Sequence, residues 1–190
     1  MSYTFTSPLK NLDNNESLAG CSEIRRKLDG IFERSKTILI VGWRSDSDAP
    51  FMKHMLNTDK ILTVVEVFKN NLNSIPSGVT GICADIRDYE VTQPFDLFLW
   101  QHGPEHVTKM DVIKFLHKYK KMFKHIILES PNGHLSQGSM YGNPYEEHIS
   151  AWGPQDYEDL GMDYITYAGP NHDRFIIAYV SNEDTSHSQV

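Results

Sequence analysis

The chain has 190 residues, 39% of them hydrophobic, and carries 18 basic against 25 acidic side chains for a net charge of −7. That fits one domain with an ordinary core and argues against a long phosphate backbone as partner, so nucleic acid is not expected. No apolar run reaches the roughly 18 to 20 residues of a membrane span, and the N-terminus lacks a basic-then-apolar leader, so no membrane partner is expected either. Two distant cysteines, Cys21 and Cys83, form neither a metal spacing nor a disulfide framework, which makes a reducing cytoplasm the expected location.

Residues 1–20 are polar and rich in Asn and Ser, and are expected to form a loose arm ahead of a domain over 21–181. "SEIRRKLDGIFER" (22–34) places Ile24, Leu28, Ile31 and Phe32 on one helical face, with Ser22 as cap. "TILIV" (37–41) reads as a strand. "SDAPFMKHMLN" (47–57) reads as a short helix, capped by Ser47 or Asp48, with Pro50 in the first turn. "KILTVVEV" (60–67) is a second strand, followed by a short helical piece ending at Pro76. "GVTGICAD" (78–85) and "PFDLFLWQ" (94–101) are the third and fourth. "VTKMDVIKFLHKYKKMF" (107–123) is the clearest helix, with Val112, Phe115, Leu116 and Tyr119 on one face, and its lysines form a solvated side. "KHIILES" (124–130) is the fifth strand. Strands alternating with helices or long loops argue for a parallel α/β sheet. The end breaks this rhythm. "MDYITYA" and "RFIIAYV" are separated only by "GPNHD", too short for a parallel crossover, so an antiparallel hairpin is expected. Residues 182–190 read as a frayed tail.

The informative stretch is "TILIVGWRSDSD" (37–48). An apolar strand reaches Gly42, as in a nucleotide-binding domain, but no further glycines follow. G-x-G-x-x-G is absent, which counts against a nicotinamide-dependent oxidoreductase. The ordered set of landmarks resembles class I S-adenosylmethionine (SAM) dependent methyltransferases of the small-molecule type. "LIVGW" resembles their first motif. Glu66 resembles the acidic residue on the ribose hydroxyls, Asp85 the one near the adenine amino group, and "FDLFLWQHGPEHV" the fourth-strand motif. "EEHISAWGPQDYEDLGMDYITY" resembles the segment that leads into the sixth strand.

The resemblance implies a Rossmann-like seven-stranded sheet, five parallel strands plus a C-terminal antiparallel hairpin, with helices on both faces. It implies SAM as cofactor and a small-molecule methyl acceptor as partner. It points to Gly42, Trp43, Arg44, Glu66, Asp85, Ile86 and Gln101 on the cofactor side. The physics of the sheet agrees, because ligands of open parallel sheets bind beyond the carboxyl ends of the strands. Three positions depart from the family. Ile40 stands where an acidic residue is common, and Arg44 and Asp46 stand where further glycines belong. Arg44 could clamp the methionine carboxylate of SAM, and Asp46 or Asp48 could meet its ammonium. The competing reading is a catalytically inactive methyltransferase-like domain that binds or scaffolds. Asp85 could equally be a loop carboxylate that turns the chain before Arg87.

On the acceptor side, the long segment 131–152 reads as a substrate lid, with Tyr141, Tyr145 and Trp152 as apolar walls. His148 is the first candidate to orient the acceptor or take its proton, and His134 the second. The plainer alternative has His148 packing on Trp152 and merely fixing the loop. No metal is assigned. His102, Glu105 and His106 resemble the Glu-x-x-Glu-His arrangement of some quinone-pathway O-methyltransferases. With a histidine replacing the first glutamate, a transition metal would be favoured over magnesium. The alternative is a polar loop in which Glu105 and His106 orient their neighbours.

Overall fold

The computed structural model describes residues 21–43, 55–140, 142–168 and 174–182. The arm over 1–20, most of the helix proposed over 47–57 with its caps, Arg44, Asp46, Tyr141 and residues 183–190 lie outside them, as does the side chain of Ser22. Met55 and Leu56 are helical, as expected.

Seven strands form one sheet: β1 (Thr37–Val41), β2 (Ile61–Glu66), β3 (Thr80–Cys83), β4 (Phe95–Gln101), β5 (Phe123–Pro131), β6 (Asp163–Ala168) and β7 (Arg174–Ser181). Their order is β3-β2-β1-β4-β5-β7-β6. The first five run parallel, while β7 pairs antiparallel with both β5 and β6. This is the expected sheet with its C-terminal hairpin. Where β7 lies follows from its side chains. Ile176, Ile177, Ala178 and Tyr179 are all buried, as an inner strand requires, whereas β6 alternates in exposure and takes the edge.

Among the described residues the sheet is accompanied by α1 (Cys21–Arg34), α2 (Lys109–Tyr119) and α3 (Pro154–Asp159). Leu28, Ile31 and Phe32 of α1 pack with Ile38, Ile40, Val64, Leu97 and Ile127 on one face. Val112, Phe115, Leu116 and Tyr119 of α2 and Tyr157 of α3 pack with Leu39, Val41, Phe98, Ile126 and Leu128 on the other. The period of two along each strand is what divides the core into two layers. The helical piece after β2 is a 3-10 turn, Lys69–Ser74, and the long helix tightens into another at Lys120–Met122. No described helix is long and apolar enough to cross a membrane.

Polar ties hold the end of the sheet opposite the ligand side. Lys60 Nζ donates to the carbonyl of Phe32 in the last turn of α1 and to that of Ser35 just beyond it, each at 2.6 Å. Asp96 accepts from the backbone N–H groups of Lys36 and Thr37 and pairs with Lys124 at 2.8 Å, and these donors hold its carboxyl well below the ordinary range. Asn182, expected in the frayed tail, is instead anchored. Its backbone N–H donates to Lys124 O, and its side chain to the carbonyls of Lys120 and Phe123.

Between β1 and β4 the chain order reverses. Having crossed to the edge strand β3, it returns on the other side of β1, which opens a crevice at the carboxyl ends of both strands. The turn after β4 is unusually tight. His102 adopts a φ of 47°, and a Cβ on Gly103 would lie 1.8 Å from Nε1 of the buried Trp100. Only glycine lets the backbone pass over that ring. Gly103→Ala should therefore cost about 1–3 kcal/mol through overpacking, read as a lowered thermal midpoint. Gly138→Ala, which would add a Cβ in open space, should leave the midpoint within error.

Candidate functional site

The first half of the site grows from the ends of β1 and β2. Gly42 leaves β1 with a φ of 81°, in the left-handed region that favours glycine, and nothing lies within 4 Å of where its Cβ would be. Its N–H donates to Val65 O at 2.9 Å. Glu66 ends β2 and is buried. Its Oε2 accepts from the Trp43 N–H at 2.7 Å and its Oε1 from the Phe68 N–H at 2.6 Å. Burial pushes its carboxyl upward, and these N–H donors oppose that shift. One carboxylate thus joins the loops leaving two strands.

The second half grows from β4 and β5. Gln101 and Glu129 are register partners, and Gln101 Nε2 donates to Glu129 Oε2 at 2.7 Å. Tyr167 of β6 donates its hydroxyl to the other oxygen of the buried Glu129. His102 follows, its backbone N–H on Glu129 O at 2.9 Å, its Nε2 3.6 Å from Glu129 Oε1, and its ring edge-on to Phe175. A 3-10 turn, Pro104–His106, then carries Glu105 into the interior. Glu105 is 2% exposed, and its Oε2 is buried without a hydrogen-bond partner. The segment 131–152 returns across this turn. Ile149 and Ser150 donate backbone N–H groups to Glu105 O at 2.9 and 3.0 Å, and the ring of His148 stands 4.9 Å from that of His106. His148 Nε2 lies 3.9 Å from Glu105 Oε1.

Burial governs the charge states here. It raises the Glu105 carboxyl to about 8 and lowers both His106 and His148, so both imidazoles are neutral near pH 7.

No family model and no curated protein match the chain. Solved structures do. The N-methyltransferase NodS from Bradyrhizobium japonicum WM9, in complex with S-adenosyl-L-homocysteine, is similar over 93% of this chain and 96% of its own, at 15% identity and a TM-score of 0.61. The plantazolicin methyltransferase BpumL, in complex with a pentazolic desmethylPZN analog and S-adenosylhomocysteine (SAH), is similar over 92% and 90%, at 13% identity and a TM-score of 0.60. A SAM-dependent methyltransferase from Archaeoglobus fulgidus is similar over 85% and 94%, at 18% identity and a TM-score of 0.57. At these identities the match is one of fold. The chain has the class I methyltransferase fold.

Within this methyltransferase fold, Gly42, Glu66 and Gln101 stand at the ends of adjoining strands, as the sequence suggested. Three other residues have occupations of their own. The Trp43 ring is buried with the α1-side core and donates from Nε1 to Ser74 Oγ. Ile86 is buried in the α2-side core. Asp85 forms the turn that the sequence held open as its alternative role. Its Oδ1 accepts from the backbone and Nε of Arg87, and its Oδ2 from Nη2 at 2.5 Å, which lowers its carboxyl.

Of the acceptor-side candidates, the half-buried His148 stands beside Glu105 and His106, whereas His134 is exposed. The ring of His148 faces that of His106, and the ring of Trp152 faces that of Tyr157. That tryptophan is 1% exposed in the core against Tyr157, so it is not a free wall of a lid. The segment 131–152 is pinned by bridges from Asn132 and Gly133 to Trp152. Sequence reading missed Glu129 and Tyr167. The available signal was one acid inside the otherwise apolar run "HIILES".

The neutral Glu105 makes stability fall with pH. Its ordinary value is 4.5. Above that, an unfolded chain releases a proton that the folded state keeps until its own value near 8. Stability contributed by Glu105 is therefore lost as pH rises through this window. Glu105→Gln should gain on the parent chain by about 1.4 kcal/mol per pH unit there. Urea unfolding of both proteins at pH 5, 6.5 and 8 in chelated buffer measures this. A constant offset would mean that Glu105 ionises freely.

Proposed function

We propose that this chain is an enzyme that transfers the methyl group of SAM to a small-molecule acceptor. The observation that carries the reading is the pairing of Gly42 and Glu66. A left-handed glycine opens space beyond β1, and a buried carboxylate ends the neighbouring strand, within a fold whose solved neighbours include SAH complexes. The groups present fit such a ligand. Of its roughly four acceptor positions, Glu66 gives two to the backbone N–H groups of Trp43 and Phe68 and faces the side chain of Asn71 with another. The capacity left over suits a ribose hydroxyl.

SAM supplies an electrophilic methyl on a sulfonium. What this chain contributes is placement, since holding nucleophile and methyl in line provides much of the rate. Gly42, Trp43 through its backbone, Glu66 and Gln101 form the cofactor side, with the Asp85–Arg87 turn and the buried Ile86 as its support. Arg44 is assigned to the methionine carboxylate. The acceptor side is the group after β4, where Glu105, His106 and His148 meet. A small acceptor agrees with the net charge of −7.

Calorimetric titration with SAM and SAH tests the reading. Saturable heat with either ligand supports it. No heat at millimolar ligand would leave a binding or scaffold domain that retains only the fold. Glu66→Ala should weaken SAH binding about thirtyfold, roughly 2 kcal/mol, through lost ribose bonds, with circular dichroism confirming the fold. Arg44→Ala should weaken SAH but not adenosine, which has no carboxylate. Equal losses for both ligands would remove Arg44 from that role.

A further inference from the structure

We propose that Glu105, His106 and His148 form a binding site for a divalent first-row transition metal. One ligand atom from each lies within 4.8 Å of the other two, and the three residues come from two segments more than forty positions apart in the chain.

The hydrogen bonds of the two rings prepare them for this role. His106 Nδ1 lies 3.1 Å from the carbonyl of Glu147, and His148 Nδ1 lies 2.7 Å from that of Leu135. A carbonyl only accepts, so in each ring Nδ1 carries the proton and Nε2 carries the lone pair. A backbone carbonyl on the far nitrogen is the usual support of a metal-bound imidazole, because it sets both tautomer and ring orientation. The two carbonyls belong to the 131–152 segment, so this segment supplies one ligand and orients both rings.

The carboxylate makes the case from the other side. Glu105 is 2% exposed, and its Oε2 has no partner. A buried oxygen in that state costs about 1–3 kcal/mol or more. Neither neighbouring imidazole satisfies the carboxylate. His102 Nδ1 stands 4.0 Å from Oε1, beyond a hydrogen bond, and so does His148 Nε2 at 3.9 Å. A divalent ion would satisfy the orphaned carboxylate and both imidazole lone pairs at once. In a tetrahedral site with bonds near 2.0–2.1 Å, donors lie roughly 3.4 Å apart. The present separations need a closure on the order of 1 Å, within reach of side-chain rotation.

Donor chemistry selects the ion. Two imidazoles and one carboxylate suit zinc, iron, cobalt or manganese and disfavour magnesium, which takes oxygen donors. Three protein ligands also leave at least one position open, the hallmark of sites that bind a further oxygen ligand rather than merely brace a fold. In this reading His148 is a ligand, not a free base, and His102 stands outside the set.

The experiment uses the whole chain stripped with chelator and titrated with Co²⁺, followed by visible absorption and calorimetry. One equivalent should bind with d–d bands of a four- or five-coordinate centre. Glu105→Gln and His148→Ala should each weaken binding at least tenfold, while His117→Ala, at an exposed position on α2, should bind as the parent does. No binding by the parent chain, or unchanged binding by both site variants, overturns the proposal. Should either variant fail to fold by circular dichroism, X-ray absorption of the parent chain with one equivalent of zinc decides. Two imidazole ligands support the site, and none overturns it. Neither readout uses SAM, so the outcome is independent of the methyl-transfer reading.

Discussion

The carboxylate of Glu66 does more than end a strand. It receives one backbone N–H from the loop after β1 and one from the loop after β2. In a parallel sheet these loops leave side by side at the carboxyl end, where the ladder has stopped and their N–H groups have no strand to bond. A buried acceptor solves that problem once for both loops. It holds Trp43 in place, and Trp43 in turn seals the α1-side core against Ser74. Gly42, between strand and tryptophan, is thereby held in its left-handed conformation with open space beyond it. The cofactor side of the proposed site is thus an outcome of how the sheet ends.

The other side depends on a steric constraint. Trp100 fills the α2-side core, and its ring lies where a side chain on residue 103 would go. The chain must turn at once, with His102 in a left-handed conformation, and the following 3-10 turn drives Glu105 inward. An acid is thereby carried into the interior without a bonding partner for Oε2. Such an arrangement is costly to stability and is typical of places where function, not packing, has chosen the residue. The neutral, tautomer-locked imidazoles beside it share this character. The orphan carboxylate and the two prepared lone pairs are complementary needs that one cation would meet.

The 131–152 segment links these observations. Its length suggested a lid. It is instead stitched to the body through Trp152, through Ile149 and Ser150 on the Glu105 carbonyl, and through the carbonyls that hold both histidines. Its contribution is to bring chemistry from late in the chain to the end of β4. Distance in sequence is the reason why the pairing of His148 with Glu105 and His106 could not be read beforehand, whereas the neighbours His102, Glu105 and His106 invited grouping. In space the ring of His102 lies between Glu105 and Glu129, nearer to Glu129, and edge-on to Phe175.

The sequence alone determined the sheet and its ends. Period-two and continuous apolar runs specify strands, a five-residue connection forbids a parallel last pair, and an acid closing an apolar run, as Glu66 does, stands at a strand's carboxyl end. These are local properties, decided by backbone geometry within a few residues. Only the tertiary structure decided which of those residues are free to act. It engaged Asp85 with its own Arg87, buried Trp43 and Ile86 as packing, left His134 at the surface, and placed Glu129 with Tyr167. The reason is that a polar side chain's role depends on what desolvates it and what bonds it, and both come from elements remote in sequence. The residue type at position 105 was always visible. That its Oε2 would be buried without a partner, facing two histidines, is a property of the assembled fold.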